Sequence, residues 1–137
     1  PVIVRWPKII RQPEVSDALI SQIDWAASLA SLVGARLPKG SVPDSQNRMN
    51  TLLGKDKTDR PWVIEQASNH ALSVRTKNWK YIEPSSGVPF MYWGPKIETG
   101  YLETPQLYNM EQAGETQHPE KVFELEQILR EVRKENR

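Results

Sequence analysis

The sequence predicts an α+β fold: a four-stranded antiparallel sheet packed against a C-terminal helix, preceded by a strand and a helix. Four short runs rich in aromatic and β-branched residues follow one another after residue 60, and strands in close succession pair antiparallel. The last segment carries an apolar stripe at helical spacing. Residues 1–60 are organised differently and are treated as a separate part of the chain.

Composition restricts the class of protein further. A chain of 137 residues is long enough for a single domain of modest size. Its 18 basic and 17 acidic residues nearly cancel, which argues against a general binder of polyanions. Because cysteine is absent, disulfides, thiolate metal ligands and a cysteine nucleophile are excluded for this sequence. With no long apolar run, signal peptide or lipidation motif, we expect no membrane partner.

The chain starts with a strand-like run. Val2, Ile3 and Val4 are β-branched residues followed by Pro7, a pattern typical of a short buried strand. A chain that begins at Pro1, inside a strand, is expected to be a piece of a longer protein.

A helix is predicted next, and it ends at Gly34, which suits the left-handed position after a helix. In SDALISQIDWAASLASLVG apolar residues recur at spacings of three and four, so periodicity alone starts the helix near Ser16. The Asp24 carboxylate could instead cap a shorter helix that begins at Trp25. The residues alone leave both versions open.

The segment 35–60 is rich in Pro, Gly, Asp and Asn and predicts a surface connection, with a helical turn or two at Met49–Leu53 that stops at Gly54. Four strand-like runs follow, PWVIEQ, HALSVRT, NWKYIEP and QLYNM. Lys77 and Asn78 separate the second run from the third, and Asn tolerates the left-handed conformation of a tight hairpin.

Between Pro84 and Pro105 lies a long loop that contains Tyr92 and Trp93 among glycines and prolines. A loop of this length is usually functional or mobile. Its aromatic side chains could stack on a ligand ring, cover the sheet or pack on a neighbouring part of the protein.

The final helix is predicted from Pro119 to Arg137. Proline suits the first helical turn, acidic residues lie near its start and basic residues near its end. Its apolar stripe is expected to pack on the sheet and consists of Val122, Leu125, Leu129 and Val132, flanked by Phe123 and Ile128.

Few residues suggest chemistry. His118 precedes Pro119 and is interpreted as a helix-start residue, while Asp24 and Asp44 are interpreted as cap or turn residues. His70 lies between two strands, where a structural or solvent-exposed role is the simpler interpretation. No phosphate-binding loop, dinucleotide motif, nucleophile elbow or zinc-protease motif occurs, so no catalytic or metal-binding residue is predicted.

One cluster invites a nucleic-acid hypothesis. Cations and aromatic residues alternate on the second hairpin, a pattern by which a sheet can stack bases and hold phosphates; the cluster consists of Arg75, Lys77, Trp79, Lys80 and Tyr81. The balanced net charge and the lack of an RNA-binding motif argue against it. Alternate aromatic residues are also typical of one packed strand face.

Taken in order, these segments resemble the C-terminal part of the type I sulfatases, the formylglycine-dependent arylsulfatases of the alkaline phosphatase superfamily. PVIVRWPKII resembles P-x-I-x-R-W-P-G-x-I, LISQIDWAASLASLVGARLP resembles V-S-x-x-D-L-x-P-T-L-L-x-L-A-G-x-x-P, and DSQNRMNTLLGK resembles D-S/G-x-N/D-L-x-P-x-L-L-G. RPWVIEQ and ALSVRTKNWKYIEP resemble the strands that follow. QLYNM, AGET and HPEKVFELEQIL match the closing strand, turn and helix.

The resemblance has three departures. Lys8 stands where the family commonly has glycine, Ala27 and Ser28 replace Pro-Thr, and the connection between Thr116 and His118 is short. Following the family, an extended approach to Asp24 with the helix after it becomes the preferred version.

The resemblance implies that residues 1–60 end the large α/β sulfatase domain and that residues 61–137 form the small C-terminal subdomain. The complete protein is then expected to hydrolyse a sulfate ester of an aryl or carbohydrate substrate. The family's formylglycine, made in C/S-x-P-x-R, and its calcium ligands are expected in an N-terminal part that would be the partner of this chain. This chain alone is expected to be inactive.

The substrate-contact candidates in this chain are His70, Tyr92 and Trp93, since loops of this kind can border a neighbouring cleft. The family also suggests a periplasmic or secreted protein. The competing hypothesis is a stand-alone module that binds protein or nucleic acid.

Overall fold

The structure, a computed structural model, describes residues 2–112, 114 and 116–135. Contacts divide the chain into two compact units, Pro1–Pro61 and Trp62–Arg137, called here unit 1 and unit 2. Their assignment to a large and a small sulfatase domain stays a prediction. Among the described residues, no helix is both long and apolar enough to span a bilayer.

Unit 1 contains a 3₁₀ turn, Gln22–Asp24, followed by helix α1, Trp25–Leu32, and the short helix α2, Met49–Leu52. The expected capping of α1 by the Asp24 carboxylate is wrong, because that side chain makes no capping hydrogen bond to α1 and accepts the Ser21 and Gln46 N–H groups instead. The start of the shorter predicted helix at Trp25 is nevertheless confirmed, and the version from Ser16 is wrong. The physical reason lies at Leu19, whose N–H donates to the Asp59 carboxylate at 2.6 Å and whose carbonyl accepts the Arg60 N–H at 2.8 Å. In a helix from Ser16 the Leu19 carbonyl would accept the Ile23 N–H, and it accepts the N–H of a distant segment instead.

The predicted ends of these helices are confirmed. Gly34 and Gly54 have φ of 69° and 70°, the left-handed conformation that glycine adopts without steric cost. After α1, the Ala35 N–H donates to the Ala30 carbonyl at 2.9 Å, which satisfies a carbonyl that the last helical turn leaves open.

The strand predicted at Val2–Val4 is wrong for this structure, in which unit 1 has no strand among its described residues. A strand needs a neighbour that pairs its N–H and carbonyl groups, and no described segment of unit 1 supplies one. Ile3 is 93% exposed and Val2 53%.

Unit 2 is built on a four-stranded antiparallel sheet in the order β1-β2-β3-β4. The strands are β1, Val63–Gln66; β2, Leu72–Arg75; β3, Trp79–Ile82; and β4, Gln106–Asn109. All four predicted runs are confirmed, with shorter bounds than the sequence patterns suggested.

One face of the sheet packs against helix α3, Pro119–Glu135. Ile64, Val74, Tyr81 and Leu107 are successive cross-strand partners on that face. The last three are buried together with Leu125 and Leu129 of α3. The predicted packing of a C-terminal helix on the sheet is confirmed, while Asn136 and Arg137, which the prediction included, lie outside the described residues.

The short connection before α3 is closed by a hydrogen bond from the Thr116 N–H to the Leu107 carbonyl at 2.9 Å. Two residues of the AGET turn, Ala113 and Glu115, lie outside the described residues.

Candidate functional site

The turn between β1 and β2 carries His70, one of the three candidate residues. The Ala67 N–H donates to the Ala71 carbonyl at 2.9 Å, and the His70 N–H donates to the Ala67 carbonyl at 3.0 Å. The Asn69 side-chain oxygen accepts the Ala71 N–H at 3.1 Å. This turn therefore closes on its own backbone and on one side-chain oxygen.

His70 has φ of 68° and is the only non-glycine residue with positive φ among the described residues. That region is uncommon for residues with a Cβ, although Asn, Asp and His enter it more readily than most. The hairpin at Lys77–Asn78 was expected to use a left-handed Asn, and this expectation is wrong. The strained position is instead at His70, whose side chain is exposed.

The long loop 84–105 is folded back on itself. Its two arms pair at Phe90 and Glu98, the Met91 N–H donates to the Ile97 carbonyl at 3.0 Å, and the Thr99 N–H donates to the Pro89 carbonyl at 3.0 Å. Residues 92–95 between the paired arms form a bend, which is the tip of the loop.

Tyr92 and Trp93 lie at this tip. Their rings meet edge to face, with centroids 4.5 Å apart at 83°, an arrangement that aromatic quadrupoles favour. They are 88% and 53% exposed. In this structure they do not cover the sheet, so of the predicted alternatives, contact with a ligand or with another part of the protein remains.

The loop is attached to the His70 turn through Asn69. The Asn69 side-chain nitrogen donates to the Ser85 hydroxyl at 3.1 Å and to the Thr99 hydroxyl at 3.3 Å. Gly87 packs so closely that a Cβ there would lie 2.5 Å from the Asn69 Cβ. The structure therefore connects the turn that carries His70 with both arms of the loop that carries Tyr92 and Trp93.

The sheet face opposite α3 is polar and forms an open groove beside the loop arms. Lys80 and Glu65 form an ion pair of 2.7 Å across this face, and the Ser73 hydroxyl donates to Glu65 at 3.2 Å. Burial alone would raise the pKa of Glu65. The hydrogen bond and charge of Lys80, with the Ser73 hydrogen bond, outweigh burial and hold that pKa below its ordinary value.

The geometry separates the residues of the nucleic-acid hypothesis. Trp79 and Tyr81 pack on the α3 side of the sheet. Arg75 and Lys80 lie directly opposite each other on neighbouring strands, and their side chains are on the other face of the sheet. The Arg75 guanidinium donates to the carbonyls of its own hairpin, including Lys77 at 2.7 Å. A base could not stack on these aromatic rings beside these cations, and the alternative function is not favoured.

The remaining predicted residues have structural partners. His118 begins α3 as predicted, because its carbonyl accepts the Lys121 and Val122 N–H groups at 3.0 and 3.1 Å. Asp44 lies in a turn and contributes its carbonyl to Arg60 at 3.3 Å. Across the described part of the chain, no group of three or more acidic, histidine or cysteine side chains could hold a metal ion.

Sequence reasoning missed Asn69, Ser85 and Thr99 as the residues that connect the site. A weak signal was present, because Asn69 stands at a position where the side chain of a turn residue commonly bonds to nearby backbone. Its bonds to residues 16 and 30 positions away leave no local pattern in the sequence.

Comparisons with known proteins identify similar chains among sulfatases. The chain is 44% identical over 139 residues to an N-acetylgalactosamine-6-O-sulfatase of Bacteroides thetaiotaomicron, covering 97% of this chain and 27% of that enzyme. It is 30% identical over 87 residues to the steryl-sulfatase of Homo sapiens, covering 58% of this chain and 15% of that enzyme. No family model matches it.

A solved structure agrees with these relatives. It comes from work on the metabolism of multiple glycosaminoglycans by Bacteroides thetaiotaomicron, and it matches with a TM-score of 0.87 and 44% identity. The match covers 95% of this chain and 28% of that one. The chain thus spans about a quarter of the length of the bacterial relative and a smaller share of the human one.

Proposed function

This chain belongs to the sulfatases and corresponds to their C-terminal portion, and from that premise we propose that the complete protein hydrolyses a sulfate ester on a carbohydrate. The observation that carries the proposal is the 44% identity over 97% of this chain to an enzyme named for N-acetylgalactosamine 6-O-sulfate. A carbohydrate substrate is therefore proposed ahead of an aryl sulfate.

The reacting groups are proposed to lie in the part of the protein that precedes these residues. The described residues do not fit a calcium site, and the sequence lacks C/S-x-P-x-R. Calcium and formylglycine remain proposals for the complete protein, and no catalytic step is assigned to this chain. Its own contribution would be to substrate choice.

We propose that His70, Tyr92 and Trp93 contact the sugar. Exposed aromatic rings offer an apolar face to the carbon side of a sugar ring. An imidazole can donate a hydrogen bond to a hydroxyl or sulfate oxygen. The three residues lie on two loops that Asn69 joins, which supports a single recognition surface.

The preceding part of the sulfatase is also the proposed partner of unit 1. The helical segment 22–33 of unit 1 leaves apolar side chains exposed: Ile23 in the 3₁₀ turn by 49%, Leu29 in α1 by 48% and Val33, just after α1, by 75%. An apolar helix surface of this kind normally packs on another element. Export of the complete protein, suggested by the family, is a further proposal that cell fractionation would test.

The activity is tested with the complete, maturation-competent protein. We expect it to release sulfate from N-acetylgalactosamine 6-sulfate and from oligosaccharides that contain it, more efficiently than from an aryl sulfate. A mature complete protein that releases no sulfate from any member of a panel of sulfated sugars would refute the proposed function.

The contact residues are tested in the same protein with Trp93→Ala, Tyr92→Ala and His70→Asn. Asparagine tolerates the left-handed backbone, so His70→Asn removes the imidazole and keeps the turn. Each change is expected to raise KM for the sulfated sugar by about tenfold, equivalent to a loss of about 1.4 kcal/mol. Phe123→Ala, an exposed residue of α3, is the control. An unchanged KM in all three variants would remove these residues from the site.

A further inference from the structure

Thr99 is a buried side chain in the second arm of the loop 84–105, called here the aromatic loop. It is 6% exposed, and its hydroxyl donates to the Val88 carbonyl at 2.5 Å while accepting the Asn69 side-chain N–H at 3.3 Å. One hydroxyl therefore joins both loop arms to the β1–β2 turn. A buried hydroxyl that both donates and accepts a hydrogen bond constrains the positions of its two partners, because leaving either partner unpaired costs free energy.

The bonds from Asn69 to the loop are not needed to close the turn. Closure comes from the Ala67–Ala71 and His70–Ala67 backbone bonds and from the Asn69 side-chain oxygen. The side-chain nitrogen has a different use, since both of its bonds run to the loop, to Ser85 and Thr99. The two halves of one amide thus hold the turn and attach the loop separately.

We infer that Ser85 and Thr99 are positioning residues that, through Asn69, fix the aromatic tip relative to His70 and so set the preference for an extended sulfated carbohydrate. The inference rests on the proposed function, because it presumes that His70 and the tip contact one substrate. A substrate that spans both loops gains affinity when their separation is fixed beforehand. A small aryl sulfate, which we expect to contact only one of the two loops, gains less.

The test uses variants of the complete enzyme that introduce no charge and that leave Asn69 and the β1–β2 turn unaltered. Thr99→Val keeps the side-chain shape and removes the hydroxyl, Ser85→Ala removes the second acceptor, and Thr99→Ser restores the hydroxyl. Arg133→Ala, which breaks the exposed contact of α3 with Glu83, is the control for general destabilisation. For each variant, kcat and KM are measured for a sulfated N-acetylgalactosamine oligosaccharide and for an aryl sulfate.

We expect Thr99→Val and Ser85→Ala each to raise KM for the oligosaccharide by about three- to tenfold, the scale of one lost neutral hydrogen bond. The ratio of kcat/KM for the oligosaccharide to that for the aryl sulfate should fall by a similar factor. Thr99→Ser should recover most of the ratio, and Arg133→Ala should leave it unchanged. Thr99→Val combined with Trp93→Ala should raise KM by less than the product of the two single effects.

A ratio that stays constant in Thr99→Val and Ser85→Ala, or effects that multiply fully with Trp93→Ala, would overturn the inference. If Trp93→Ala and His70→Asn raise KM while Thr99→Val and Ser85→Ala do not, the contact site stands and only the positioning role fails. If Trp93→Ala and His70→Asn have no effect, the contact site itself fails, and the inference fails with it.

Discussion

The Asp24 carboxylate is 2% exposed and joins three segments of unit 1. One oxygen accepts the Gln46 N–H at 2.9 Å and contacts an Arg60 guanidinium nitrogen at 2.5 Å, and the other accepts the Ser21 N–H at 3.0 Å. The side chain therefore faces away from the helix that it precedes. Removing one partner of such a pair leaves a buried charge without compensation.

Asp24→Asn is accordingly expected to destabilise unit 1 by about 3 kcal/mol. The measurement is hydrogen exchange in the complete protein, on peptides that cover residues 21–28 and 44–48. Glu14→Gln, which breaks the exposed 3.3 Å pair with Lys57, is the control and should cost less than about 1 kcal/mol. Equal protection of these peptides from exchange in Asp24→Asn and Glu14→Gln would show that the buried pair stabilises unit 1 no more than the exposed pair does.

Tyr81 gives unit 2 a dependence on alkaline pH. Burial, followed by the charges of Glu126 and Glu83, raises the pKa of its hydroxyl from 10.0 to about 12. The folded state thus favours the protonated phenol, and the resulting stability is fully present below pH 10 and is lost as pH rises through about 12. Tyr81→Phe should flatten this loss in thermal unfolding followed across that range, whereas an unchanged slope would contradict the assignment.

Helix α3 contributes to the core through few side chains. Leu125 and Leu129 are each 1% exposed and meet Val74, Tyr81 and Leu107, whereas Phe123 is 63% exposed. The sequence placed Phe123 at the edge of the apolar stripe, and the structure turns it to solvent. Hydrophobicity alone did not distinguish the exposed Phe123 from the buried leucines. Their spacing of four residues, which places Leu125 and Leu129 on one helix face, did distinguish them.

Leu129→Ala should therefore lower the free energy of unfolding of unit 2 by about 2–5 kcal/mol, because it leaves a cavity between α3 and the sheet. Phe123→Ala, which removes a larger side chain, should change it by less than about 0.5 kcal/mol. Urea unfolding of both variants decides the matter. If the two variants lose similar free energies of unfolding, the face of α3 that packs on the sheet has been assigned incorrectly.

Elements were predictable where the signal is local. The four strands and α3 follow from runs and stripes within a few residues of one another, and Gly34 and Gly54 marked the helix ends. The start of α1 was ambiguous from the residues alone, since periodicity favoured Ser16 and only the family resemblance favoured a later start; the bond of the Leu19 carbonyl to the Arg60 N–H gives the physical reason for Trp25. Val2–Val4 failed as a strand because pairing depends on a neighbour that the local pattern does not specify.

The candidate site was predictable in its parts but not in its connections. Loop length and exposed aromatic residues singled out Tyr92 and Trp93, and the position between two strands singled out His70; their contact with substrate stays a prediction. The tie through Asn69 joins residues far apart in sequence and needed the structure. The cluster from Arg75 to Tyr81 misled because a strand sends successive side chains to opposite faces.

At the scale of the whole molecule, the two units differ in how they bury apolar surface. Among its described residues, unit 2 has a hydrophobic cluster of five buried side chains between its sheet and α3. In unit 1, by contrast, buried positions of α1 and the turn before it are polar, Ser28 and Asp24, while Ile3, Val15 and Val33 are 93%, 92% and 75% exposed. A contiguous exposed apolar patch normally marks a surface that another protein part covers, and we expect these residues to contribute to such a patch.

The last prediction follows from this difference and from the proposed partner. Produced alone, this chain should release no sulfate and should bind a hydrophobic dye through unit 1, whereas the complete protein should bind much less dye. Hydrogen exchange should locate the difference, with faster exchange in residues 22–33 of the isolated chain and equal exchange in β2 and β3, whose amides are protected by unit 2 itself.

Val33→Glu is the matched variant. It should reduce dye binding by the isolated chain, where the position is open to water, and should destabilise the complete protein, where it would place a charge against apolar surface. Equal dye binding and equal exchange in the two forms would show that unit 1 is as exposed in the complete protein as it is here, and would remove the proposed partner surface.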